Sequence, residues 1–169
     1  MDFLVPVAML LVAAAAAASD ARTGLIPNWL TLPPLFASVV LYFVLQGAGG
    51  LLFSLAGALA CGLLPYFLFR TGSMGGGDVK LLAALGAIGG LQTGLEVQFM
   101  GIILAAVYAI LVLAFKGRLG KMLLASLWVI QNLFLPAERR RQLPPAERMS
   151  LRLGVPIFLG TAVVLGGLV

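Results

Sequence analysis

Histidine is absent from this chain, cysteine occurs once, and only six of the 169 residues are acidic. Each shortage excludes something. Without histidine the chain lacks both the commonest metal ligand and the usual general base near neutral pH. A single cysteine, Cys61, set inside an apolar run, allows neither a disulfide framework nor a Cys-rich zinc site. Charged residues make up 10% of the chain, and no polar stretch is long enough to enclose a second core, so residues 1–169 read as one domain. No cofactor and no metal are expected. Acid–base chemistry falls to Asp and Glu.

What fills the chain is hydrocarbon: 62% of residues are apolar and the mean hydropathy is +1.10. That composition belongs to an all-α integral membrane protein, because a lipid-embedded backbone must satisfy its own hydrogen bonds. Apolar runs at 3–19, 29–46, 51–69, 79–95, 97–115 and 153–169 predict a bundle of about six transmembrane helices. Residues 122–135, at about 14 positions, are too short to span and read as an additional interfacial helix. The alanine run ending in Ser19 resembles a signal cleavage region, but the preceding residues carry Asp2 and no Lys or Arg, which favours a retained helix.

The punctuation between these runs is informative. Pro27 and Asn28 read as the turn that launches the second helix, and Pro33-Pro34 as a kink or a delayed start. Residues 46–50 read as a tight loop. Ser54, Gly57, Ala58 and Gly62 give the third helix a face for close packing, and Glu96 marks the far end of the fourth. With these six spans all eleven basic residues fall on one side, which makes that side cytoplasmic and turns both termini outward. The loop at 136–152, with Arg139-Arg140-Arg141, suits anionic lipid head groups better than nucleic acid.

The same topology sorts the acids. Asp20 ends the first run and Asp78 begins the fourth, so two residues remote in sequence share the basic-side boundary. Asp2 and Glu96 fall opposite, while Glu138 and Glu147 lie among arginines. Asp78 alone would pass for an N-cap and Asp20 alone for an interfacial terminator. Together, at a depth just inside the membrane, they suit a wet cavity. Two carboxylates that share one proton can activate water and polarise a carbonyl without metal or nucleophile. The helix start at Asp78 suggests it as base and Asp20 as acid, with the roles exchanging during turnover. Gly75, Gly76 and Gly77 leave backbone bare for an extended peptide to approach. Lys80, two residues from Asp78, points elsewhere on a helix and either binds substrate or snorkels to the interface.

Asp20 followed by Ile26-Pro27-Asn28, and then Gly75-Gly76-Gly77-Asp78-Val79-Lys80-Leu81-Leu82-Ala83-Ala84-Leu85-Gly86, resembles the type IV prepilin peptidases, bacterial inner-membrane aspartic proteases of the GxGD class. The resemblance implies that Asp20 and Asp78 are catalytic. It also implies that the partner is a prepilin or pseudopilin precursor, cut at the cytoplasmic face between a short basic leader and a hydrophobic helix. Long members of that family add a Cys-x-x-Cys zinc region and methylate the new N-terminus. This chain has neither the cysteines nor the length, and is similar to the short, peptidase-only branch that serves Flp (tight adherence) pili. The start of the last helix, Val155-Pro156-Ile157-Phe158-Leu159-Gly160, matches the family's Pro-Tyr-Gly region only loosely. On residues alone, a presenilin-like or signal-peptide-peptidase-like protease, a small transporter or channel and a silent assembly factor stay open.

Overall fold

A computed structural model of the chain describes residues 3–70, 74–115, 120 and 153–167. The expected interfacial helix at 122–135, the whole loop at 136–152 and eight of the eleven basic residues lie outside them. The described residues are almost wholly helical, and no strand occurs among them. Helix α1 covers Leu4–Thr23, α2 Asn28–Arg70, α3 Gly76–Phe115 and α4 Gly154–Gly166. Two compact units are present: Met1–Ala105 with Arg152–Val169, and Ala106–Leu151. The second contributes only the end of α3 and Gly120 to the described residues.

The two long helices are each broken by one glycine. Gly47 has φ 63 and ψ −145, Gly90 φ 76 and ψ −174, conformations that a side chain makes costly. The chain folds back at both. A Cβ on Gly50 would fall on the Tyr42 carbonyl oxygen, and one on Gly94 would lie 2.8 Å from the Gly86 Cα, although an unbroken helix separates residues eight apart by about 12 Å. The result, among the described residues, is the helical stretches 4–23, 28–46, 48–70, 76–89, 91–115 and 154–166.

Neighbouring contacts order the stretches. Phe69 lies beside Gly76, Ala83 beside Gly62, and Gly57 against the backbone of Gly86, so the second half of α2 runs antiparallel to the first half of α3. Met9 packs on Gly89 while Asp20 lies near Asp78, which sets α1 antiparallel to the same stretch. The first half of α2 runs parallel to it, with Lys80 Nζ donating to Asn28 Oδ1 at 2.7 Å near one end and Tyr42 Oη donating to the Ile88 carbonyl at 3.0 Å near the other. Gly160 meets Gly101, so α4 packs on the returning part of α3. The stripe of small residues on α2 makes these approaches possible: Ser54 is buried and its Oγ donates to the Ala87 carbonyl at 2.9 Å.

The core is apolar, with Met9, Leu81, Leu82, Leu85 and Val97 buried, but so is the surface. The interior also holds Ala13, Ala16, Ala58, Cys61 and the polar side chains Asp20, Thr31, Ser54, Asp78, Gln98 and Thr161, whereas Phe36, Val40, Val44, Leu59 and Phe67 are exposed. Such a surface has an apolar solvent. Three helices, Leu4–Thr23, Asn28–Arg70 and Gly76–Val112, are long and apolar enough to cross a membrane.

Several sequence expectations need correction. Helix α1 does not stop at Ser19: it runs to Thr23, where Gly24 turns left-handed and its N–H bonds the Asp20 carbonyl at 2.9 Å, so Asp20 is a helical residue and not part of a loop. Pro33 and Pro34 do not delay α2, which begins at Asn28, keeps helical dihedrals through both and leaves them only at Gly47. Helix α3 starts at Gly76 and not at Val79. Its break falls at Gly90 and not at Glu96, because the Phe53 ring occupies the space that a side chain on residue 90 would need. Glu96 instead sits on the exposed face beyond the turn, accepting from Gln92 Nε2 at 3.1 Å.

Candidate active site

The site is assembled at the end of the bundle where α1 finishes and α2, α3 and α4 begin. Asp20 lies one turn before the end of α1 and is 5% exposed. Asp78 lies in the first turn of α3 and is 8% exposed. The two carboxylates are close enough that the charge of one acts on the other.

Each acid is held by backbone. The N–H of Gly154, the first residue of α4, donates to Asp20 Oδ2 at 2.9 Å. The approach is tight, since a Cβ on Gly154 would lie 2.8 Å from Asp20 Cβ and 3.2 Å from the Ala17 Cα. Asp78 is the third residue of its helix, so it is not the N-cap. Its carboxyl reaches back to the backbone of Gly75, the residue preceding the helix, as the acidic member of a capping box does. A side chain on Gly75 would stand 2.9 Å from Asp78 Oδ2. Both carboxylates thus stand at helix N-termini, where the macrodipole favours negative charge.

The three glycines differ in situation. Gly75 is exposed and adjoins the Asp78 carboxylate; Gly76 faces the Phe69 ring; Gly77 receives Ile26, whose Cβ would be 2.9 Å from an added methyl. Bare backbone at Gly77 therefore lets the connection before α2 lie directly on α3. That connection is fastened further by Ser19, whose Oγ donates to the Leu25 carbonyl at 2.9 Å. Lys80 turns to Asn28 and not to either aspartate.

Sequence reasoning missed two members of this end. Gly154 was not singled out, although a glycine just before Val155-Pro156 at the start of a helix is a signal for close approach. Asn28 read only as a turn residue, and its side chain holds Lys80. A cavity of about 730 Å³ lies at the other end of the bundle between Phe3, Leu10, Tyr42, Phe53 and Leu165. It is apolar and remote from both carboxylates.

A membrane-type helical bundle with two buried carboxylates at one end defines a class: intramembrane proteins able to do acid–base work without histidine. Residues 7–110 match the model of the type IV leader peptidase family, and the chain belongs to that family. It is therefore a peptidase, and the match sets aside the transporter, assembly-factor and presenilin-like readings. No curated protein and no solved structure gives a significant match.

Proposed function

We propose that this chain is an aspartic endopeptidase that removes the short basic leader from prepilin or pseudopilin precursors. The observation that carries the reading is the convergence of Asp20 and Asp78, from α1 and α3, as two buried neighbouring carboxylates at one end of the bundle. Like charges this close favour a pair with a single proton. Oδ2 of Asp20 is already an acceptor for Gly154, which leaves Oδ1 to exchange protons.

The ionised member takes a proton from water, and the resulting hydroxide oxygen bonds to the scissile carbonyl carbon. The protonated member donates to the carbonyl oxygen as the tetrahedral intermediate forms. On collapse the C–N bond breaks, the acid that took the water proton gives it to the leaving amine, and a hydroxyl of the intermediate returns its proton to the other carboxylate, so the pair is back in its one-proton state. General acid–base help of this kind contributes about 10²- to 10⁴-fold in rate, and dry surroundings strengthen it.

With six crossings at the apolar runs of the sequence, both aspartates and all eleven basic residues fall on the cytoplasmic side of a bacterial inner membrane, with both termini periplasmic. Among the described residues Arg22, Arg70 and Lys80 lie at the aspartate end, which supports that orientation. The partners are the precursor and membrane lipids, not nucleic acid. Methyl transfer to the new N-terminus is not expected, and the Flp-pilus branch supplies the substrate class. Lys80, paired with Asn28, orders the start of α2 and is not a substrate ligand in the resting enzyme.

Co-expression with a candidate prepilin tests the reading. Asp20→Asn and Asp78→Asn should each leave the leader uncut while the protein accumulates in the membrane. Leader removal that persists in either variant overturns the shared-proton mechanism.

A further inference from the structure

The two aspartates stand on different helices, α1 and α3, and the connection from α1 to α2 touches both helices beside them. It starts on Asp20 itself, because the N–H of Gly24, which is left-handed at φ 70, donates to the Asp20 carbonyl at 2.9 Å. It then lies on α3. A Cβ on Gly77 would stand 2.9 Å from Ile26 Cβ, 3.0 Å from the Ile26 carbonyl oxygen and 3.4 Å from its nitrogen, so backbone packs on backbone at the residue before Asp78. Six positions of chain lead from one acid to the residue seated beside the other.

That path is fastened along its length. Ser19 Oγ donates to the Leu25 carbonyl at 2.9 Å, and Thr23 Oγ1 donates to the Ser19 carbonyl at 2.9 Å while accepting from the Leu25 N–H at 3.3 Å. Pro27 has a fixed φ, and its carbonyl accepts from the Leu30 N–H at 3.1 Å as α2 begins. One position on, Asn28 takes Lys80 of α3.

Ending a helix does not require these bonds. The Gly24 turn by itself closes α1, and Leu25 is 71% exposed, so holding it buries almost nothing. Ser38 and Thr161 each turn the hydroxyl onto the carbonyl four residues back, at 2.7 and 2.8 Å, whereas Ser19 reaches off the end of its helix to a residue six ahead. What the bonds to Leu25 accomplish is to fix the next residue, Ile26, over Gly77.

We infer that residues 24–27 form a strap that sets the separation of the Asp20 and Asp78 carboxylates, with Ser19, Thr23 and Gly77 as positioning residues. The inference rests on the peptidase reading above. Two acids that share a proton and act on one amide need their spacing held closely. Gly154 anchors Asp20 from α4, and Gly75 anchors Asp78 from beside its own helix, so neither bond joins α1 to α3. The strap does. The Ser19 and Thr23 hydroxyls are turned to backbone, so their part is to place the acids and not to hold the precursor.

The test uses the full chain in lipid nanodiscs and a synthetic precursor, a basic leader joined to an apolar helix. Ser19→Ala combined with Thr23→Val removes both hydroxyls, and Gly77→Ala lifts Ile26 off α3. A displacement of about 1 Å costs about 10²-fold, so each should lower kcat at least about tenfold while KM moves less than about twofold. Because the hydroxyl bonds lie at the exposed end of α1, the thermal midpoint of the double variant should stay close to parental, which a general loss of structure would not allow. Replacing Ser19→Ala by Ser19→Thr, in a chain with Thr23 intact, restores the hydroxyl and should rescue kcat. Parental kcat in the double variant or in folded Gly77→Ala overturns the inference, and so does a raised KM at parental kcat, which would make the strap a substrate contact. If Asp20→Asn still cleaves, the two-carboxylate mechanism itself has failed. If the Asp variants are dead and the strap variants turn over at the parental rate, only this inference has failed.

Discussion

Replacing Gly154 by alanine tests how the last helix positions Asp20. The added methyl would lie 2.8 Å from Asp20 Cβ, 3.0 Å from Oδ2 and 3.2 Å from the Ala17 Cα, on the side where α4 rests on α1. Carbon atoms are comfortable at about 3.5–4.0 Å, so the helix start must withdraw by roughly 1 Å. Flexible rotamers offer little relief, because one of the obstructing atoms is backbone. Withdrawal stretches the 2.9 Å bond from the Gly154 amide to Asp20 Oδ2 beyond useful length. Overpacking of this size costs about 1–3 kcal/mol of stability. Displacing a catalytic group by about 1 Å costs about 10²-fold in rate. The expected outcome is a folded enzyme with kcat for leader removal down about 100-fold and KM much less affected. Gly166→Ala, on the same helix in open space, is the control and should cleave at the parental rate. A Gly154→Ala enzyme with parental kcat refutes the claim that the start of α4 sets the Asp20 carboxylate.

Three further outcomes follow from the packing and the composition. Gly86→Leu should destabilise the bundle by at least about 2 kcal/mol in a denaturant titration, since even a Cβ there meets the Gly57 carbonyl and Cys61 Sγ. Lys80→Met removes only an exposed bond to Asn28, so stability should fall by less than about 1 kcal/mol and cleavage should continue; a dead Lys80→Met enzyme would restore the substrate-binding reading of Lys80. EDTA should leave activity intact, because the sequence has no histidine and one cysteine to offer a metal; loss of cleavage that added metal restores would overturn this.

Much of the molecule is written in hydropathy. The apolar runs are helical wherever the structure describes them, because a chain with no polar segment long enough to wet a core must satisfy its backbone within lipid. The pairing of Asp20 with Asp78 was also legible, since counting crossings puts both at the same boundary. Glycine spacing on α2 announced the close approach to α3, which Gly57 and Gly86 make. Boundaries were less legible. A turn at Gly90 in place of Glu96, and a helix that continues through Pro33-Pro34, depend on which atoms a neighbouring helix presents, and a charge or a proline in the sequence carries no record of its neighbours.

By composition and order alone, then, the sequence determined a lipid-embedded helical chain and which two acids share an end. Tertiary structure decided what holds those acids: Gly154, far along the chain, donates to Asp20, Gly75 caps back to Asp78, and Asn28 takes Lys80. It also decided which buried polar atoms are left over, Thr31 and Gln98. The physical reason is that hydropathy acts residue by residue, whereas a hydrogen bond is settled only when two helices are placed to within a fraction of an ångström.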